Sequence, residues 1–162
     1  MKLKTLVAAM AALTALSSQA ASWDWDSHGA LEIGGNTVAA GAIFDTFEFS
    51  LGATSNVTSA ALSFGNIVGG AYSLYSFGTD GLMGTTDDVG LGAWTFGATT
   101  HTVSLNAGSY YYSVLGGAMG TASYAIASSA VAAPVPEPET YALLGAGLGI
   151  IGFVASRRRR DF

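Results

Sequence analysis

The nine residues IFDTFEFSL, Ile43 to Leu51, constrain the fold more than any other stretch of the chain. Strict alternation places Ile43, Asp45, Phe47, Phe49 and Leu51 on one side of an extended strand and Phe44, Thr46, Glu48 and Ser50 on the other. The first set is apolar except for Asp45, so a carboxylate is expected to point into the core. Such a group is costly to bury unless it is paired or hydrogen-bonded. Its possible partners are backbone N–H groups, Ser, Thr or Tyr hydroxyls, a histidine or a metal ion. A structural carboxylate held by backbone and hydroxyl donors is favoured over a cation site or a catalytic group. No lysine or arginine is at hand, because the chain has none between Lys4 and Arg157.

The rest of the middle of the chain reads in the same way. Short apolar runs are separated by Gly, Asn and Asp, and helical periodicity is hard to find. The pattern predicts strands over Ala30–Ile33, Ala42–Leu51, Val57–Phe64, Ile67–Ser76, Gly92–Phe96, Thr100–Leu105, Ser109–Leu115 and Ala122–Val131. Turn chemistry is expected at Gly34-Gly35-Asn36, Gly65-Asn66 and Asn106-Ala107-Gly108. Short strands at this spacing predict an all-β domain, an antiparallel β-sandwich or jelly-roll-like fold. Three Trp, seven Tyr and eight Phe argue against a solvated coil.

The two ends differ from this body. Lys2 and Lys4, an apolar run from Leu6 to Leu16, and small residues with Ser18 and Ala20 at signal-peptidase spacing make residues 1–20 a secretory signal peptide, cut after Ala20 or Ala21. Residues 21–133 are then the exported domain and 134–162 a terminal segment. The exported domain carries Asp24, Asp26, Glu32, Asp45, Glu48, Asp80, Asp87 and Asp88 and no lysine or arginine. Nucleic acid is a poor partner for such a surface, since phosphate contacts need basic side chains. The chain has no cysteine, which excludes thiolate nucleophiles, thiolate metal sites and disulfides.

Candidate chemistry is sparse. Asp80, Asp87 and Asp88 gather in the loop FGTDGLMGTTDDVG and are candidate calcium ligands, although the spacing is not that of an EF-hand. A solvated acidic loop is the simpler reading, and no other cofactor is expected. WDWD, Trp23 to Asp26, reads as a glycan-contacting edge or as a first strand that tucks its indoles inward. His28 and His101 lie in no metal-binding pair, and no G-x-S-x-G elbow is present. Gly147 to Gly152 spells G-x-G-x-x-G, but inside an apolar terminal helix and without a βαβ unit it carries no dinucleotide meaning. Asn56-Val57-Thr58 is a glycosylation sequon by pattern. No catalytic residue is assigned, and the expectation is a protein that is not an enzyme.

All four arginines, Arg157, Arg158, Arg159 and Arg160, follow an uncharged run from Tyr141 to Ser156. That run is expected to be a transmembrane helix over 141–156, with the arginines holding the C-terminus in the cytoplasm. At about 1.5 Å per residue it spans about 24 Å, short of the roughly 30 Å hydrocarbon core, with bilayer thinning left to close the gap. Pro136 and Pro138 are expected to keep the segment before it extended.

Pro136-Glu137-Pro138, the glycine-rich apolar run and the arginine cluster together resemble the PEP-CTERM sorting signal of Gram-negative bacteria. The resemblance implies processing by an exosortase after signal peptidase has removed the leader. It also implies transient anchoring in the inner membrane with the domain in the periplasm, then release to the cell surface or an extracellular, biofilm-type matrix rich in exopolysaccharide. The body resembles the FxDxF-type PEP-CTERM proteins through Gly41, Asp45, Phe47 and Phe49, with Ile43 where that pattern has its first Phe, and through Leu105 to Tyr110, Gly117, Gly120 and Tyr124. Membership implies no catalytic activity, and Asp45 transfers as a signature residue only.

Overall fold

The computed structural model describes residues 20–134 and 138–158. The proposed signal peptide, Pro136, Glu137, Arg159 and Arg160 lie outside the described residues. The chain divides into two units, one ending at Ala132 and one running from Ala133 to the C-terminus.

Among its described residues the first unit contains nine strands: β1 (Ser22–Ser27), β2 (Glu32–Val38), β3 (Gly41–Leu51), β4 (Ser55–Phe64), β5 (Ile67–Ser76), β6 (Val89–Thr95), β7 (Gly97–Leu105), β8 (Gly108–Ala118) and β9 (Ala122–Ala132). They form a five-stranded sheet in the order β1-β3-β8-β5-β6 and a four-stranded sheet in the order β2-β9-β4-β7. Most successive strands therefore change sheet, and among these nine β5 and β6 are the only consecutive pair hydrogen-bonded to each other. Pairing is antiparallel except between β1 and β3, which run parallel. A parallel pair needs a crossover connection, and β2, in the other sheet, lies on the one between β1 and β3.

The alternation of IFDTFEFSL holds through β3. Ile43, Asp45, Phe47, Phe49 and Leu51 are all buried, whereas Phe44 is more than half exposed. Thr46, on the outer face, is buried as well, because β1 lies alongside and Ala21 O accepts the Thr46 N–H at 2.9 Å. The five-stranded sheet adds Tyr72, Leu74, Tyr112 and Val114 to the core. The other sheet answers with Val38, Val57, Ala61, Leu105, Tyr124 and Ile126.

One expected turn is overturned. Gly34-Gly35-Asn36 lies inside β2, in unbroken register with Ile126, Ala125 and Tyr124 of β9. The glycines serve close approach instead of chain reversal. A Cβ on Gly34 would stand 2.3 Å from the Phe47 ring, and one on Gly35 would stand 2.3 Å from the Tyr124 carbonyl oxygen. Gly65-Asn66 and Asn106-Ala107 do fall between strands, with Gly108 opening β8, and each joins one sheet to the other.

The second unit holds α1 (Pro138–Arg158). The helix starts at Pro138, not after it as the sequence suggested, since a proline at the first helical position gives up an N–H that has no partner there. Among the described residues no helix is long and apolar enough to cross a membrane, which corrects the transmembrane helix expected over 141–156. Four glycines dilute the apolar run, and charged residues close in at both ends. Within this unit Leu143, Leu144, Leu148, Ile150, Ile151 and Phe153 are exposed.

Candidate functional site

Asp45 sits at zero exposure between the two sheets. Its Oδ1 accepts the backbone N–H of Ala21 at 2.8 Å. Its Oδ2 accepts from Asn36 Nδ2 at 3.1 Å and from the Tyr124 hydroxyl at 2.5 Å. Asn36 and Tyr124 face each other across the β2–β9 ladder, so one carboxylate on the first sheet collects two donors from the second. Burial, followed by the hydrogen bond to Asp45, pushes the Tyr124 phenol far above its ordinary range. The sequence expectation of backbone and hydroxyl donors is met, with an amide from Asn36 that alternation alone did not single out.

Asp45 is flanked by aromatics. Trp23 stacks on Phe47 with centroids 4.7 Å apart, and Trp25 packs on Phe47 at 5.2 Å and Phe49 at 6.4 Å. Both indoles are half-buried, while Asp24 and Asp26 point outward. WDWD is therefore a first strand with its tryptophans turned inward. Phe47 and Phe49, which follow Asp45 on the inner face of β3, are the surfaces those rings cover.

A second arrangement was not foreseen from sequence. His28 Nε2 lies 2.8 Å from Ser128 Oγ, and Ser128 Oγ lies 3.0 Å from the Tyr112 hydroxyl. His28 Nδ1 meets Gly29 O at 2.7 Å, so the Nδ1 proton donates to a carbonyl and Nε2 is left to accept from Ser128. This is the contact of a nucleophile with a base. Ser128, however, is fully buried, and the group that orients the histidine is a carbonyl, not a carboxylate. A substrate has no route to that oxygen, and the chain of three groups joins β8, β9 and the end of β1 inside the core. The other histidine, His101, stacks on Trp94 at 5.0 Å.

In the acidic loop between β5 and β6, the carboxylates are held by the loop's own donors. Asp87 Oδ2 accepts from Thr79 N at 2.6 Å, Thr79 Oγ1 at 3.1 Å and Asp80 N at 3.2 Å, and Oδ1 accepts from Thr85 Oγ1 at 2.6 Å. Asp88 accepts from Gly78 N, Gly84 N and the Tyr111 hydroxyl at 2.9, 2.7 and 2.8 Å. Asp80 Oδ1 caps Leu82 N at 2.9 Å. The hydrogen bond from Thr85 chiefly, with those from Thr79 and Asp80, holds Asp87 down at about 2. Desolvation pulls Asp88 upward, but donors led by Tyr111 and Gly78 outweigh it, and the carboxyl lies below its usual range. Burial, then the bond to Asp88, pushes Tyr111 up to about 12. Among the described residues no group of three or more His, Asp or Glu side chains is arranged to hold a metal ion.

Two open clefts flank this loop. One, of about 470 Å³, is lined by Asp24, Asp26, Glu48, Phe77 and Ser109. The other, of about 480 Å³, lies on the outer face of the five-stranded sheet and is lined by Phe44, Tyr75, Met83, Asp88, Tyr111 and Leu115. Tyr75 and Tyr111 stack there at 5.1 Å.

Comparison with known proteins bears mainly on the tail. Residues 134–160 match the PEP-CTERM protein-sorting motif, the same tripartite stretch singled out in the sequence. No curated protein matches the chain. Among solved structures, the pre-peptidase C-terminal domain of a Bacillus anthracis collagenase aligns at 12% identity and a TM-score of 0.47, over 67% of this chain and 94% of that one. PliG, a periplasmic inhibitor of g-type lysozyme from Aeromonas hydrophila, aligns at 13% identity and a TM-score of 0.45, over 71% of this chain and 100% of that one. At such similarity neither relative passes a function to this chain.

Proposed function

We propose that this chain is an exported PEP-CTERM protein whose tail is processed by an exosortase and whose β-sandwich is a non-enzymatic structural or adhesive component of a surface matrix. The observation that carries the reading is the match of residues 134–160 to the sorting motif, in a segment that forms its own unit apart from the β-domain. The exposed apolar side chains of α1 support it, because a bare apolar surface of this kind marks a site for an interaction partner. A lysine-free and arginine-free domain suits contact with neutral glycans or with other proteins.

Grafting residues 134–162 onto an unrelated exported protein tests the reading. Release of the graft to the surface in a host with exosortase, and its retention when that enzyme is deleted, is the expected result. Release that ignores the enzyme contradicts it.

The outer-face cleft favours a second reading, a carbohydrate-binding module. Phe44 is more than half exposed there and lies with half-buried Tyr75 along the cleft, an aromatic lining of the kind that can stack on sugar rings. Calorimetric titration with matrix polysaccharide, with and without calcium, separates this from a purely structural role.

A further inference from the structure

Asp45 is the single fully buried carboxylate of the described residues, and the described part of the domain contains no lysine or arginine to neutralise it. One of its three donors is unlike the others. Ala21 N belongs to the first residue after the expected signal-peptide cut, and it stands 2.8 Å from Oδ1. The geometry points to Asp45 as the receptor of the processed N-terminus: removal of the signal converts Ala21 N from a neutral amide into an ammonium that pairs with the buried carboxylate. This inference rests on the export reading above.

The chemistry balances without a further reactant. Hydrolysis of the Ala20–Ala21 bond consumes one water, leaves the new carboxylate on Ala20 of the departing peptide, and gives Ala21 an amine that takes up a proton near neutral pH. The bond is reachable, since Ala20 is exposed while Ala21 is half-buried. The Ala21 carbonyl fixes the register, accepting the Thr46 N–H at 2.9 Å. A cut one residue later would remove both that acceptor and the donor on Asp45. The geometry thus selects the first of the two sites that the small-residue pattern allows.

Pairing matters because a lone buried charge is far more costly than a matched one. In the precursor the carboxylate has three neutral donors. In the processed chain it gains the one cation that maturation creates. The titratable groups near the amine are Asp45 and Glu48 on β3 and Tyr124 on β9, while β2 contributes the neutral Asn36. Tyr124 stays protonated across the neutral range, so it does not compete for the charge.

The sequence makes the test unusually clean. Lys2 and Lys4 leave with the signal, so the α-amine is the only amine in a chain running from residue 21 to 162. Two chains are prepared, one starting at Ala21 and one starting at Ala20, and each is treated with an amine-acylating reagent across pH 6–10. The Ala21 amine is expected to react at least about tenfold more slowly near pH 7.5 and to titrate above the free value of about 7.7–8.0, whereas the Ala20 amine titrates normally. Asp45→Asn in the Ala21 chain is expected to restore fast labelling, and if that variant does not fold, the comparison of the two starts still decides. Equal rates and equal titration overturn the inference. N-terminal sequencing of the exported protein separates it from the reading beneath it. A start at Ala21 supports both, a start at Ser22 or later overturns only the Asp45 pairing, and an uncut leader overturns export as well.

Discussion

The β-domain and the tail solve opposite problems. In the domain every buried side-chain polar atom among the described residues has a hydrogen-bond partner, and the large apolar side chains meet between two sheets. In the tail the apolar side chains of α1 stay exposed and its glycines face open space. The contrast teaches where to look for each function. A region that satisfies itself is a durable object, and a region that leaves its apolar surface bare is a label to be read by something else. The sorting-motif match falls on the second region alone.

Removing residues 138–162 gives the largest expected effect and breaks the comparison most directly. Surface release is lost, yet the melting temperature of the domain is expected to stay within about 1–2 °C, since the β-domain forms a unit of its own. A large fall in melting temperature would show that the two regions depend on each other.

Inside the domain the order of effects follows burial. Phe47→Ala empties a site of zero exposure beneath both first-strand tryptophans and should cost about 3–5 kcal/mol by chemical denaturation. Asp45→Ala strands the Tyr124 hydroxyl, the Asn36 amide and the Ala21 N–H, with an expected loss of about 2–4 kcal/mol. Gly35→Ala drives a methyl into the Tyr124 carbonyl, a rigid backbone atom, and should cost about 1–3 kcal/mol. Should Gly35→Ala prove neutral, β2 does not pair with β9 as described.

The smallest effect is local. Asp87 is held at about 2, below the ordinary carboxylate value of about 3.9, so its contribution is present above pH 4 and disappears as pH falls through 2. Protection of the Thr79 and Asp80 amides relative to their intrinsic exchange should therefore fall between pH 4 and 2 while β3 and β8 amides remain protected. Uniform loss of protection would make the loop part of the core and blur the distinction between solvated and buried acids.

Much of this was legible in the sequence, for reasons that differ from residue to residue. Strand β3 was readable because period-two alternation is a one-dimensional signal. Six of the other strands were placed within a few residues because turn chemistry brackets them, whereas β2 was cut short at Ile33 by glycines that lie inside it. The tail was readable because proline, apolar run and arginines occur in order along the chain. What escaped depended on contacts distant in sequence. Gly34 and Gly35 look like turn residues until Phe47 and Tyr124 are seen to occupy the space a side chain would need. The Asp45 donors at positions 21, 36 and 124, and the His28–Ser128 contact, are set by which strands become neighbours across two sheets. Local pattern carries no information on that choice. The helix start at Pro138 turned on a subtler point, since proline opposes a helix interior and suits a first turn.

The most direct test is the intact mass of the protein recovered from the surface and the medium of its native host. A species ending close to Pro136, without α1 and the arginines, is the predicted result. A surface species that retains the full tail would contradict the division of labour proposed here and make the tail part of the working protein.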